Sequence, residues 1–187
     1  MGKKNSNKPK SNEEIIRKAL YSYDEDTITQ TLNFLRENGN TKIIPDLINV
    51  YNGYRNTSIG KKIYNVLLDL KCSDAAGLIV NAIEDNQYSA IRKDLLSLTW
   101  MTSLDFSKYF NKFVDWFISF ELSLAFEAFT AIEYMHFSME NDKLKKSITL
   151  LRESITEIDE SKKELLVDLV NLLEKKMEDD AIAQKEE

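Results

Sequence analysis

Three short stretches decide the fold: Leu47-Ile48-Asn49-Val50-Tyr51, Ile79-Val80-Asn81-Ala82-Ile83 and Phe113-Val114-Asp115-Trp116-Phe117. Each reads apolar, apolar, polar, apolar, apolar. They begin at 47, 79 and 113, at offsets of 32 and 34 residues. A second set keeps the same spacing. Ile28, Ile59, Ile91 and Ala125 form one column, Leu32, Ile63, Leu95 and Phe129 the next, and Leu35, Val66, Leu98 and Ile132 a third. Leu165, Leu169 and Leu172 continue these columns after a longer connection. Any two amphipathic helices can be slid into register. Keeping both helices of a pair in register at one near-constant offset is the mark of a repeat array.

Around these stretches, apolar residues recur every three or four positions in blocks of 11–16, as amphipathic helices require. The spacing predicts helices over 13–22, 26–37, 42–52, 57–70, 74–84, 88–102, 106–118, 121–136, 142–157 and 161–177. The breaks carry stop and start signals. Gly39 suits a C′ position of positive φ. Asn40 or Thr41, Thr57 or Ser58, Ser73 and Asp74, and Asp105 or Ser107 are candidate caps. With only five Gly and two Pro in 187 residues, sheets joined by tight turns are disfavoured. The expected fold is all-α: a right-handed αα-superhelix, a short solenoid of about five antiparallel helix pairs. One pair cannot bury its apolar face alone, and stacking makes the core continuous. The expected organisation is a disordered basic tail over 1–11, a single helical repeat domain over 12–177 and an acidic tail over 178–187.

The residues resemble HEAT repeats. In that family an outer helix, often with a proline near its start, pairs with an inner helix opened by an acidic turn and an apolar–Arg step. Ile43-Ile44-Pro45-Asp46-Leu47-Ile48 looks like the outer-helix pattern, and Ala75-Ala76-Gly77-Leu78-Ile79 repeats it with Gly77 in place of proline. Glu84-Asp85-Asn86 followed by Ile91-Arg92 looks like the turn and inner-helix start. The match covers roughly 26–136. The arginine position is Gly60 in one pair and Phe126 in another, which leaves the subfamily open between HEAT, armadillo-like and other αα-superhelical arrays. The resemblance implies a scaffold that binds another protein or peptide.

Composition limits the chemistry. The net charge is −6. The first ten residues carry +4 and the last ten −4, so the body is acidic. That works against phosphate binding. Cys72 and His136 are the only residues of their types. They lie far apart, so neither a zinc site of ordinary ligand count nor a Ser–His or Cys–His nucleophile is encoded. His136 is expected at a helix end in a structural role. No Gly-rich phosphate loop and no nucleophile elbow occurs. The carboxylates Asp24, Glu25 and Asp26 fit a helix N-terminus. We therefore expect no enzyme, no cofactor and no metal. No apolar run approaches the roughly 20 residues that span a bilayer. A single Cys gives no disulfide. Both favour a cytoplasmic protein without membrane contact.

Two surfaces are candidates for binding. Opposite the core columns, helical geometry places Lys61, Tyr64 and Leu68 on one inner helix, Lys93, Leu96 and Trp100 on the next, and Glu127 and Tyr134 on the third. Leu68, Trp100 and Tyr134 would form an out-of-register apolar column, either a second core face or a groove. The second surface is the stripe Phe106, Phe110, Phe113, Phe117 and Phe120. Its first expectation is core, and its alternative is docking through Trp116. A protein-binding scaffold is the leading function. The alternatives are a nucleic-acid-binding or base-excision enzyme of the HEAT-like DNA glycosylase type, needing a basic face and an aromatic–carboxylate pocket, and a self-associating structural protein, a homodimer through the Phe/Trp helix.

Overall fold

A computed structural model describes the backbone of residues 12–135 and 141–186 and the side chains of 12–135 and 142–179. His136 and the basic tail over 1–11 lie outside the described residues. Within them the chain is all-α, with ten helices and no strand: α1 (Asn12–Leu20), α2 (Glu25–Asn38), α3 (Ile44–Tyr54), α4 (Ser58–Leu68), α5 (Asp74–Glu84), α6 (Arg92–Met101), α7 (Phe110–Ser119), α8 (Leu122–Tyr134), α9 (Asn141–Ser154) and α10 (Lys163–Glu186). Short 3-10 turns precede α3, α6, α7 and α10. α10 runs well past the expected end at 177. No Gly or Pro follows Met177, and Ala181-Ile182-Ala183-Gln184-Lys185-Glu186 consists of good helix formers.

The caps explain the boundaries. Asp24 Oδ2 accepts the Thr27 N–H at 3.0 Å and opens α2. Gly39, at φ 58°, is the only described residue of positive φ, and its N–H reaches the Leu35 carbonyl. Of the alternatives left open by the sequence, Asn40 caps the turn before α3, Thr57 opens α4 and Asp105 caps the turn before α7. Pro45 sits in the first turn of α3, where its missing N–H is not needed.

The helices group into two compact units divided between Leu78 and Ile79, inside α5. In the first, α1 packs on α2, α3 on α4, α2 on α4 and α1 on α3. Arg17 ties α1 to α3 through Asp46 at 2.8 Å. Gly60 lets the start of α4 press on the end of α3: a Cβ there would stand 2.0 Å from the Tyr54 carbonyl oxygen. Any side chain at this position would collide with that backbone.

In the second unit α7 packs on α8 and α9 on α10, while α6 packs on α8 and α7 on α9. Arg92 donates Nε to the Ile83 carbonyl at 2.8 Å and covers the Phe120 ring at 5.1 Å. It closes the end of α5 and is not part of a free basic surface. Lys162, just before α10, donates to three carbonyls at the end of α7.

The three core columns are buried at every position except Phe129, which is half-buried and stacks on Phe126. In α10 the buried residues are Leu166, Leu169, Val170 and Leu173, not the expected set of Leu165, Leu169 and Leu172. With leucine at 165, 166, 169, 172 and 173, the sequence supports either register.

Candidate functional site

Phe106, Phe110, Phe113 and Phe117 are buried, Phe113 meeting Phe106 and Trp116 edge to face. Edge contacts between rings suit a packed core. Trp116 itself is 5% exposed. The alternative docking surface at Trp116 is therefore corrected: its indole is occupied by Phe113 and by a stacked Phe120. The self-association reading loses the surface it was built on.

Of the inner-helix column, Leu68 belongs to the first unit and Trp100 and Tyr134 to the second. In the first unit Lys61 is exposed, and Tyr64 and Leu68 are half-buried. Tyr64 packs on Tyr51 with ring centroids 5.5 Å apart.

In the second unit, Lys93 is exposed, Trp100 is half-buried and Tyr134 is 63% exposed. Leu96 is fully buried, a correction to its place among the binding residues. It stands beside Leu95 on α6, a helix buried around more than one apolar face.

Glu127 is the unexpected member. It is a carboxylate only 9% exposed on a helix that carries no basic residue. Burying a carboxylate is costly unless donors meet it. Here Trp100 Nε1 donates to Oε2 at 2.9 Å, and the Ser97 hydroxyl lies 2.8 Å from the same oxygen. The hydroxyl is also 3.0 Å from the Lys93 carbonyl. Its single proton goes to the nearer, charged acceptor. The other oxygen, Oε1, accepts no hydrogen bond from a described residue. Lys93 Nζ stands 4.0 Å from it, beyond hydrogen-bond reach, with its own side chain 55% exposed.

The bond to Glu127 fixes the plane of the Trp100 indole. The Tyr134 ring then leans on it with centroids 5.9 Å apart and planes 31° apart. Beside this pair runs a cleft of about 520 Å³ between the end of α6, the turn that follows it and the end of α8. Thr102 Oγ1 in its wall is buried without a hydrogen-bond partner among the described residues. Along α8, Leu122 and Phe126 add exposed apolar surface, 43% and 53% open.

Helical register opposite the core columns brought Glu127 to the face of Trp100 and Tyr134. It could not give their hydrogen bonds, because two residues on one face need not touch. The exposure of Leu122 and Phe126 was missed. Its signal is the composition of α8, apolar at eight of thirteen positions besides Tyr134. That is more than one buried stripe can take.

Among the described residues, no group of three or more His, Cys, Asp or Glu side chains is placed to hold a metal ion. No described helix is long and apolar enough to cross a membrane. Comparison with protein families, with curated proteins and with solved structures gave no match.

Proposed function

We propose that this chain is a HEAT-like αα-superhelix acting as a non-catalytic scaffold in the cytoplasm, binding another protein through the inner-helix face at Trp100 and Tyr134. The packing order within each unit supports the superhelix. Helices pair with their sequence neighbours, and next-but-one helices pack on each other, as α2 on α4 and α6 on α8. The observation that carries the function is the aromatic pair. Tyr134 keeps 63% of its surface in water although it leans on an indole held in place by Glu127. A rigid, half-open aromatic pair bordered by apolar surface is the kind of feature that anchors a protein interface.

The base-excision reading gains one element, since Trp100, Tyr134 and Glu127 join aromatic rings to a carboxylate. Among the described residues it lacks the basic face. Arg92 is engaged at Ile83 and Phe120, and Lys93 lies nearest to Glu127. Binding to duplex DNA rests largely on lysine and arginine meeting phosphates.

The test is affinity capture from the source lysate with wild type, Tyr134→Ala and the double variant Trp100→Ala plus Tyr134→Ala. Circular dichroism confirms that each variant is folded. A captured protein lost from both variants supports the scaffold reading. A protein captured equally by all three places the interface elsewhere.

A further inference from the structure

We propose that the α6/α8 face receives an arginine side chain of a basic partner segment, its guanidinium lying over the Trp100–Tyr134 pair and donating to Glu127 Oε1. This deepens the scaffold reading and rests on it.

Three observations point to a cation. The first is the carboxylate. Oε2 is fully used by Trp100 and Ser97. Oε1 accepts no hydrogen bond from a described residue, and the side chain keeps 11% of its surface in solvent. Half of a buried carboxylate is thus tied down and half presented. Lys93 marks the approach: an ammonium already reaches to 4.0 Å of Oε1 from the solvent side, yet makes no bond.

The second is the ring pair, whose exposed faces carry the negative side of the aromatic quadrupole and attract a cation. The third is charge. α8 bears Glu127 and Glu133 and no Lys or Arg, and Glu121 stands just before it. A segment that docks along Leu122, Phe126 and Tyr134 therefore meets an apolar face whose own helix is acidic, with the cations Lys93 and Lys176 at its border.

Arginine fits better than lysine on chemical grounds. The guanidinium is planar, so it can stack on a ring while its edge donates to a carboxylate. An ammonium must choose between the two.

The experiment is an NMR titration of the full chain, following the two indole N–H signals. The signal of Trp100 reports the site, and that of the buried Trp116 is an internal reference. The probes are hexa-arginine, hexa-lysine and hexa-glutamate peptides and a twelve-base-pair DNA duplex, at constant ionic strength. Hexa-arginine should shift the Trp100 signal saturably and leave Trp116 in place. Glu127→Gln keeps an acceptor for Trp100 and Ser97 but presents an amide outward, and should weaken binding about tenfold. Tyr134→Ala, at an exposed position, should weaken it about threefold through the lost ring. Lys93→Met removes the resident cation and should tighten binding.

A Trp100 signal unmoved by hexa-arginine overturns the proposal. So does an equal response to hexa-lysine that Glu127→Gln and Tyr134→Ala leave unchanged, since general attraction to an acidic chain would then suffice. A preference for the DNA duplex or for hexa-glutamate also overturns it. If a captured partner still depends on Trp100 and Tyr134 while hexa-arginine has no effect, the interface stands and the arginine assignment falls.

Discussion

Replacing Lys162 by Met tests whether a buried lysine holds the second unit together. Lys162 is only 4% exposed. Its ammonium has three donors and meets three carbonyls, those of Phe117 at 3.2 Å and of Ile118 and Phe120 at 2.7 Å. Phe117 and Ile118 lie in the last turn of α7, where carbonyls have no partner one turn on. The lysine therefore closes α7, and its charge favours the negative end of the helix.

Hydrogen bonds from a charged donor contribute roughly 1.5–3 kcal/mol each. Burying the ammonium takes several kcal/mol back. Methionine fills similar volume without donors and leaves the carbonyl of the buried Phe117 unpaired, at about 1–3 kcal/mol. Together these give an expected loss of about 2–4 kcal/mol. For a chain of this size that lowers Tm by roughly 4–16 °C. Urea unfolding followed by tryptophan fluorescence suits the question, because Trp100 and Trp116 both lie in the second unit.

A pH series adds a second readout. Burial lowers the Lys162 pKa below its ordinary 10.5, with Asp159 opposing. Between the lowered folded value and 10.5 the unfolded chain binds more protons than the folded one, so stability rises with pH. Lys162→Met lacks this gain, and wild type should pull further ahead of it on the alkaline side. A methionine variant as stable as wild type, or more so, would refute the reasoning. Apolar replacement of buried charge can have that outcome, and it would mean that desolvation outweighs the three bonds.

Gly60→Ala should destabilise the first unit by about 1–3 kcal/mol or more, because the obstacle at 2.0 Å is the Tyr54 backbone and not a movable side chain; hydrogen exchange of the α3 and α4 amides would register it. Asp24→Ala should lower Tm at neutral pH by removing the α2 cap. The hydrogen bonds from Thr27 hold the Asp24 pKa below its ordinary 3.8, so its contribution is complete above 3.8 and is lost as pH falls through the lower folded value. Thermal unfolding of both proteins in that range should converge, and a Tm difference constant down to the acid limit would count against the cap.

The helices and their caps were legible because local chemistry sets them. Asp24 and Gly39 act within their own turns, and the columns through Ile28, Ile63 and Leu98 are periodic at the helical repeat. Register in α10 was not legible. Its five leucines satisfy two buried stripes, and the choice of Leu166 and Leu173 over Leu165 and Leu172 is made by the neighbours it packs against. Gly60 was visible only as a departure from the repeat pattern, since its reason, the approach of Tyr54, is a distance between two helices.

The candidate site combines both kinds of information. Spacing brought Trp100, Glu127 and Tyr134 to one face. It read Glu127 as an ordinary position there, although a buried carboxylate is the costliest member of the set. An apolar residue in its place would spare that cost if packing were the only demand. What Glu127 does with its burial is orient the indole through Oε2 and leave Oε1 presented beside an exposed tyrosine. A purely structural carboxylate would be expected to have both oxygens satisfied by the protein. Oε1, with the Lys93 ammonium 4.0 Å away, is the atom on which the arginine proposal turns.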